Sequence, residues 1–294
     1  MTGQPAMTLH VATVEEAKSS EFVAEYIHRG RPVIIEFGDS ECDRSLDEFT
    51  SLIGSEGRAV RVYGEERIRS NRDQWDGYCD FVQLNPAEYA TWIRDGTAKR
   101  RHAYMAQVDL TGTALETRVS MWTQGFLDAL FPSAISGFNY WLGPGGHVEP
   151  LHYDPADGVL LQLSGAKKIR LVPPQFSRAL YPFPVLSRIR PWFSRVELSR
   201  PDFESFPRAR EAVDAMTEID LQAGQGLYIP AGWWHEVSSL GDDWTCSVNR
   251  FFAVRPLRRL LAVHRGVPLY AAMTNRKIVV AIEGVFRKRG AARS

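Results

Sequence analysis

Two histidines and one aspartate in this chain have the spacing of a shared metal site. In His152-Tyr153-Asp154 the outer residues are two apart, and on a strand, where side chains alternate, both then point to one face. A third ligand must come from a strand remote in sequence. The run Trp233-Trp234-His235-Glu236-Val237 offers a histidine in an otherwise apolar, strand-like setting. Two imidazoles and one carboxylate on one side of an ion leave neighbouring positions open, as a non-haem iron(II) oxygenase needs. Zinc accepts the same ligand types, so ligand chemistry alone does not choose the metal. His-x-Asp by itself is a short pattern that also arises as hydrogen-bonded core structure, and its meaning depends on what surrounds it.

A lysine is the second feature. In Gly165-Ala166-Lys167-Lys168-Ile169-Arg170-Leu171-Val172 the alternation sets Lys167 on the face of Ile169 and Leu171, with Lys168 and Arg170 opposite. An ammonium on an interior face needs an anionic partner, because an unpaired one loses its proton or destabilises the fold. A bound dicarboxylate would be such a partner. A protein acid at a barrel rim would be another.

The elements that position these residues are short strands. From about Gly137 apolar stretches broken by Gly, Pro and Asp recur: FNYWLG, GVLLQL, KKIRLVPP, GLYIPAG and WTCSVNRFF. Such spacing predicts a sandwich or barrel. The first half reads as mixed α/β, with a helix over residues 14–27 and a buried strand over 31–37. Two amphipathic helices follow, capped at Ser45 and Asn85 and stopped at Gly54 and Gly96. After Pro256 the pattern returns to helix.

Bulk composition excludes little but excludes it clearly. Lys plus Arg and Asp plus Glu both total 35, so no global field draws the chain to nucleic acid or to an anionic membrane. The tail differs: from Arg255 onward ten basic residues face one acid, Glu283. Cys42, Cys79 and Cys246 are odd in number and widely spaced, which predicts neither a disulfide framework nor a thiolate metal site and fits a reducing compartment. The first twenty residues lack a basic-then-apolar leader, and no run approaches the ~18 apolar residues of a membrane span. A cytoplasmic location is the expectation.

Taken together, several segments resemble the JmjC-type, cupin-like 2-oxoglutarate oxygenases, most closely the subgroup containing the asparaginyl hydroxylase that inhibits hypoxia-inducible factor. They are Tyr104-Met105-Ala106-Gln107, Pro150-Leu151-His152-Tyr153-Asp154, Gln162-Leu163-Ser164-Gly165-Ala166-Lys167-Lys168, Leu180-Tyr181-Pro182-Phe183-Pro184, the run Arg200 to Pro207, Leu227-Tyr228-Ile229-Pro230-Ala231-Gly232-Trp233-Trp234-His235, and Ser247-Val248-Asn249. The resemblance covers roughly residues 20–255. It implies a mainly β fold with flanking helices around a double-stranded β-helix (jelly roll) core. It also implies that His152, Asp154 and His235 bind Fe(II), that Lys167 and the Tyr104 hydroxyl grip the distal carboxylate of 2-oxoglutarate, and that Asn249 lies near this cosubstrate. The implied reaction consumes O2, releases succinate and CO2, and hydroxylates an aliphatic carbon of a peptide side chain or an amino-acid-like small molecule.

Three departures bear on this reading. Glu149 stands where the resembled hydroxylase has a threonine, and its charge would repel the cosubstrate unless it turns away. Gly158 replaces an asparagine. Trp192-Phe193 falls where the resembled enzyme carries a polar pair that grips its target asparagine, so asparagine specificity is not expected; the pair either packs a long insert or forms an aromatic wall beside the substrate. His147, in the loop before His152, is weighed as a fourth ligand or substrate contact. His10, His28, His102 and His264 show no partner pattern, and Cys246 reads as core packing rather than a nucleophile.

The expected organisation is a catalytic domain over residues 1–255 with an α/β N-terminal portion, followed by a helical element over 256–294. That element carries Leu257, Leu260, Leu261, Ile278, Val279, Ile282, Val285 and Phe286 among basic residues. It would close a homodimer, as in the resembled hydroxylase, or dock on the chain's own barrel; phosphate or membrane-surface binding by Arg287-Lys288-Arg289 is a weaker reading. Two competing functions remain: a metal-dependent cupin isomerase or dioxygenase that does not use 2-oxoglutarate, and a non-catalytic binding module.

Overall fold

The computed structural model describes residues 8–42, 44–63, 80–123, 125–131, 133–184 and 192–274. Its strands in chain order are β1 (Val11–Thr13), β2 (Val33–Glu36), β3 (Arg58–Val62), β4 (Asp80–Leu84), β5 (Ala103–Asp109), β6 (Asn139–Pro144), β7 (Val148–Tyr153), β8 (Asp157–Ser164), β9 (Lys167–Val172), β10 (Thr217–Leu221), β11 (Gln225–Ile229), β12 (Trp234–Ser239) and β13 (Trp244–Phe252). A nine-stranded sheet has the order β1-β2-β11-β8-β13-β6-β5-β3-β4, and a four-stranded sheet the order β10-β9-β12-β7. From β6 to β13 the chain passes back and forth between the two. That winding makes the expected double-stranded β-helix, and β5, β3 and β4 continue its larger sheet outward.

The pleat sorts side chains between compartments. On β9, Ile169 and Leu171 join Leu221, Leu227, Ile229 and Trp233 in an interior cluster, so Lys167, of the same parity, also faces inward. On β13, Cys246, Val248 and Phe252 pack with Phe49, Tyr89 and Trp122 behind the large sheet. Ser247 and Asn249 therefore face the other way, into the barrel. Behind the small sheet, Leu151, Tyr153, Val172 and Trp234 pack with Leu260 and Val263 from the C-terminal segment.

Local signals and outcomes agree where caps are present. Ser45 and Asn85 form capping boxes with Glu48 and Glu88 at the starts of helices Leu46–Leu52 and Pro86–Arg94, each of a kind that contributes about 1 kcal/mol. Gly54 and Gly96 end these helices at φ +87° and +75°, the left-handed conformation that favours glycine. The single helix expected over residues 14–27 is instead two short helices, Val14–Ala17 and Ser20–Phe22, running into a π-turn at Val23–Ile27. The break comes at Ser19, whose hydroxyl accepts from Phe22 N and restarts the helix.

The segment after Pro256 divides into two helical stretches, as its pattern suggests. A 3-10 turn at Leu257–Leu261 precedes the helix Gly266–Thr274, and Arg265 between them has φ +55°. Leu260 is buried on the barrel, whereas Leu257 and Leu261 are 51% and 80% exposed. Most of the basic tail, including Arg287-Lys288-Arg289 and the apolar positions from Ile278 to Phe286, lies outside the described residues, as does Cys79. Arg259 clamps the segment in place with a two-pronged pair to the buried Asp157, Nη1 to Oδ2 at 2.7 Å and Nη2 to Oδ1 at 2.8 Å. Among the described residues no helix is long and apolar enough to cross a membrane.

Candidate metal centre

His152, Asp154 and His235 come together as the spacing predicts. Among the described residues they form the one group of histidines, cysteines and carboxylates close enough to hold an ion, one candidate ligand atom from each lying within 4.8 Å of the others. His152 is near the end of β7, Asp154 just beyond it, and His235 is opposite His152 on the neighbouring β12. The two imidazole centroids are 4.2 Å apart, and His235 Nε2 is 3.6 Å from Asp154 Oδ2.

The backbone orients both rings. His152 Nδ1 lies 2.7 Å from Pro150 O, and His235 Nδ1 lies 3.0 Å from Trp233 O. A carbonyl can only accept, so each Nδ1 carries the proton and each Nε2 keeps its lone pair for an ion. Burial, followed by the proximity of His152, pushes the His235 pKa down to about 3, which keeps the imidazole in the neutral form that binds metal. Two imidazoles and a carboxylate, aimed at one point from a fixed backbone, fit a divalent first-row metal.

Deeper in the barrel, Lys167 is 3% exposed. Its ammonium donates to Ser247 Oγ at 2.5 Å and to Tyr104 Oη at 3.3 Å. Its partners are thus hydroxyls rather than the rim carboxylate that was one alternative. Burial lowers its pKa to about 8, against the opposing influence of Cys246 and Glu149. Tyr104 packs close against Gly143, where a Cβ would come within 2.0 Å of the ring, and stacks against His147 at 3.8 Å. Its phenol is pushed well above the ordinary range by burial and then by the Glu149 charge.

The other expected site residues divide. Asn249 Oδ1 accepts from Trp141 Nε1 at 2.9 Å, at the edge of the same interior. Phe193 stacks on the His152 ring with centroids 5.1 Å apart, so it walls the metal-ligand side. Trp192 packs against the cluster behind the small sheet, while its carbonyl accepts from Tyr153 N at 3.1 Å. His147 sits with Tyr104 and Glu149, away from the metal group. Glu149 does not turn away: it lies inside, 3.6 Å from His147 and 3.8 Å from Arg61.

Four contributors escaped the sequence reading: Ser247, Gly143, Arg61 and the stacking role of His147. Ser247 was within reach, being two residues before Asn249 on one strand and so on the same face. Gly143 and Arg61 had no local signal.

A cupin-like domain model matches residues 19–257. The chain belongs to the cupin-like family. Some of its relatives carry JmjC names. It is 35% identical over 153 residues to the lysine-specific demethylase JMJ31 of Arabidopsis thaliana, covering 50% of this chain and 27% of that protein. It is 41% identical over 111 residues to lysine-specific demethylase 8 of Xenopus tropicalis, covering 38% and 24%. It is 28% identical over 207 residues to the HSPB1-associated protein 1 of Mus musculus, covering 66% and 42%. The chain thus matches about a quarter of the length of the first two. These likenesses place it with the JmjC-type cupin-like proteins.

Proposed function

We propose that this chain is an Fe(II)- and 2-oxoglutarate-dependent oxygenase that hydroxylates an aliphatic carbon of a protein side chain or amino-acid-like molecule. One observation carries the reading: a triad of two imidazoles and a carboxylate opens into the same barrel as a buried lysine held by two hydroxyls. His152, Asp154 and His235 would hold the iron, which when bound supplies the oxidising chemistry with O2 that no protein side chain provides. Lys167 and Ser247, with Tyr104 donating from its phenol, would bind the distal carboxylate of 2-oxoglutarate by charge and hydrogen bonds. Asn249, held by Trp141, would line the cosubstrate, and Phe193 would flank the substrate and exclude water beside His152.

A protein substrate is favoured by the name of the HSPB1-associated relative, and the names of the demethylase relatives make N-methyl lysine a second target, since hydroxylation of a methyl carbon releases it. The C-terminal element would pair two copies through Leu257 and Leu261, which light scattering on the purified protein would report.

The test is an anaerobic titration of the Fe(II)-loaded chain with 2-oxoglutarate. It should develop the weak visible metal-to-ligand charge-transfer band, lost in Lys167→Ala. A metal cupin that does not use 2-oxoglutarate would give no band and be indifferent to that substitution. Mass spectrometry of candidate peptides separates addition of oxygen from loss of a methyl group.

A further inference from the structure

The strand that carries Tyr104 loses its regular ladder just beyond it. Met105 faces Leu142 on β6 and Val108 faces Tyr140, so three steps on β5 match two on β6, with Gln107 at φ +57° in the bulge. Side-chain contacts therefore share in placing the ring. Gly143 leaves it room, since a Cβ there would come within 2.0 Å. His147 stacks on it almost in parallel, with centroids 3.8 Å and planes 11° apart. The His147 side chain is 7% exposed and does not belong to the metal group.

His147 is itself fixed from the lysine side. Its carbonyl accepts from Ser239 N at 2.8 Å, and the Ser239 carbonyl accepts from Gly146 N at 2.9 Å. Ser239 is the register partner of Lys167 across β12 and β9. Gly146 at φ +82° and Gly145, where a Cβ would come within 2.2 Å of Gly241 O, let this loop press closely on the β12–β13 turn. The contacts form a closed chain. Lys167 reaches Ser239 through the sheet, Ser239 reaches His147 through the backbone, His147 reaches Tyr104 by stacking, and Tyr104 Oη returns to Lys167 Nζ at 3.3 Å.

The edge of the imidazole ends at Glu149, with Nε2 3.6 Å from Oε2. Glu149 faces inward because His235 faces His152 while Val237 faces Glu149, so two steps on β12 match three on β7 and the pleat reverses. Nε2 makes no hydrogen bond among the described residues. The close ring contact is with Tyr104, the Tyr63 ring being 5.7 Å away.

We propose that His147 is a positioning residue of the cosubstrate pocket: its ring holds the Tyr104 phenol at the spacing from the Lys167 ammonium that one carboxylate can bridge. It touches neither metal nor cosubstrate and acts through Tyr104. This rests on the oxygenase reading above. The hydroxyl is the only group through which Tyr104 can bond a carboxylate, so the effect of His147 on binding must vanish when that hydroxyl is absent.

The experiment is calorimetric titration of the full chain, loaded with Mn(II) in place of iron, with 2-oxoglutarate. His147→Ala should bind it about tenfold more weakly, the upper end of what one aromatic stack contributes, while Mn(II) affinity stays at the parent value. His147→Phe, which keeps a flat ring on Tyr104, should recover most of the loss. In a Tyr104→Phe background, itself weaker for want of the hydroxyl, adding His147→Ala should cost about twofold at most. Should His147→Ala not fold, His147→Asn, which also lacks the ring, carries the same expectations. Parent-like binding in the folded variant, or an equal loss with and without the Tyr104 hydroxyl, overturns the proposal and leaves the oxygenase reading intact. No binding of 2-oxoglutarate by the parent overturns both.

Discussion

Replacing Gly143 by alanine should disable the cosubstrate side of the site by displacing Tyr104. The added methyl would come within 2.0 Å of Tyr104 Cδ2 and 2.3 Å of Cε2. Reaching an ordinary 3.4 Å contact requires the ring to retreat by about 1.4 Å. Tyr104 cannot simply tip, because His147 stacks on it at 3.8 Å and the ring is buried at 2% exposure. Its 3.3 Å bond to Lys167 would then be lost. Overpacking a core costs roughly 1–3 kcal/mol, and an intramolecular hydrogen bond contributes about 1 kcal/mol, so the loss should be about 2–4 kcal/mol. Urea denaturation of the metal-free protein measures it, and anaerobic titration with 2-oxoglutarate should show weaker binding. Gly158→Ala is the internal control: its methyl would meet Phe251 at an uncrowded 3.4 Å, and it should cost little. Parent-like stability and cosubstrate affinity in Gly143→Ala would refute the reasoning.

Other consequences follow from buried groups. Arg259→Met strands the Asp157 carboxylate, 1% exposed, and should destabilise by about 3–5 kcal/mol; adding Asp157→Asn should recover part of that in the same denaturation assay. Tyr153, between two metal ligands, donates to His264 O at 2.5 Å, so Tyr153→Phe should loosen His152 and Asp154 and weaken Mn(II) binding by about tenfold, read by electron paramagnetic resonance; unchanged affinity would remove Tyr153 as a support. His235 carries a folded pKa of about 3 against 6.5 in the unfolded chain. Between those values the unfolded state binds the extra proton, so stability is full above about pH 6.5 and falls on acidification, by up to about 1.4 kcal/mol per unit from this group. Denaturation midpoints of metal-free protein should drop from about pH 7 to 5, and His235→Leu should flatten the decline; identical slopes would contradict the assignment.

How far the site could be read in advance depended on the range of the interactions that make it. Lys167 was placed on the inner face by alternation alone, because β9 keeps an unbroken pleat. Glu149 was not, because its direction depends on a bulge opposite β12, a strand more than eighty residues away. The helix expected over residues 14–27 failed for a local reason, as the Ser19 cap competes with helix continuation and the apolar pattern does not register it.

By itself, the sequence determined what its local periodicities encode: the strands from β6 onward except β10, the helix caps at Ser45 and Asn85, and the pairing of His152 with Asp154. Those depend on side-chain alternation, turn residues and neighbours within a few positions. Only the tertiary structure decided which remote residues meet. It set Ser247 against Lys167, used Gly143 to seat Tyr104, brought Arg61 and His147 to Glu149, and tied Tyr153 to His264. Each of these contacts joins strands or segments whose adjacency comes from sheet pairing and close packing, and close packing leaves no mark on the residues nearby in sequence.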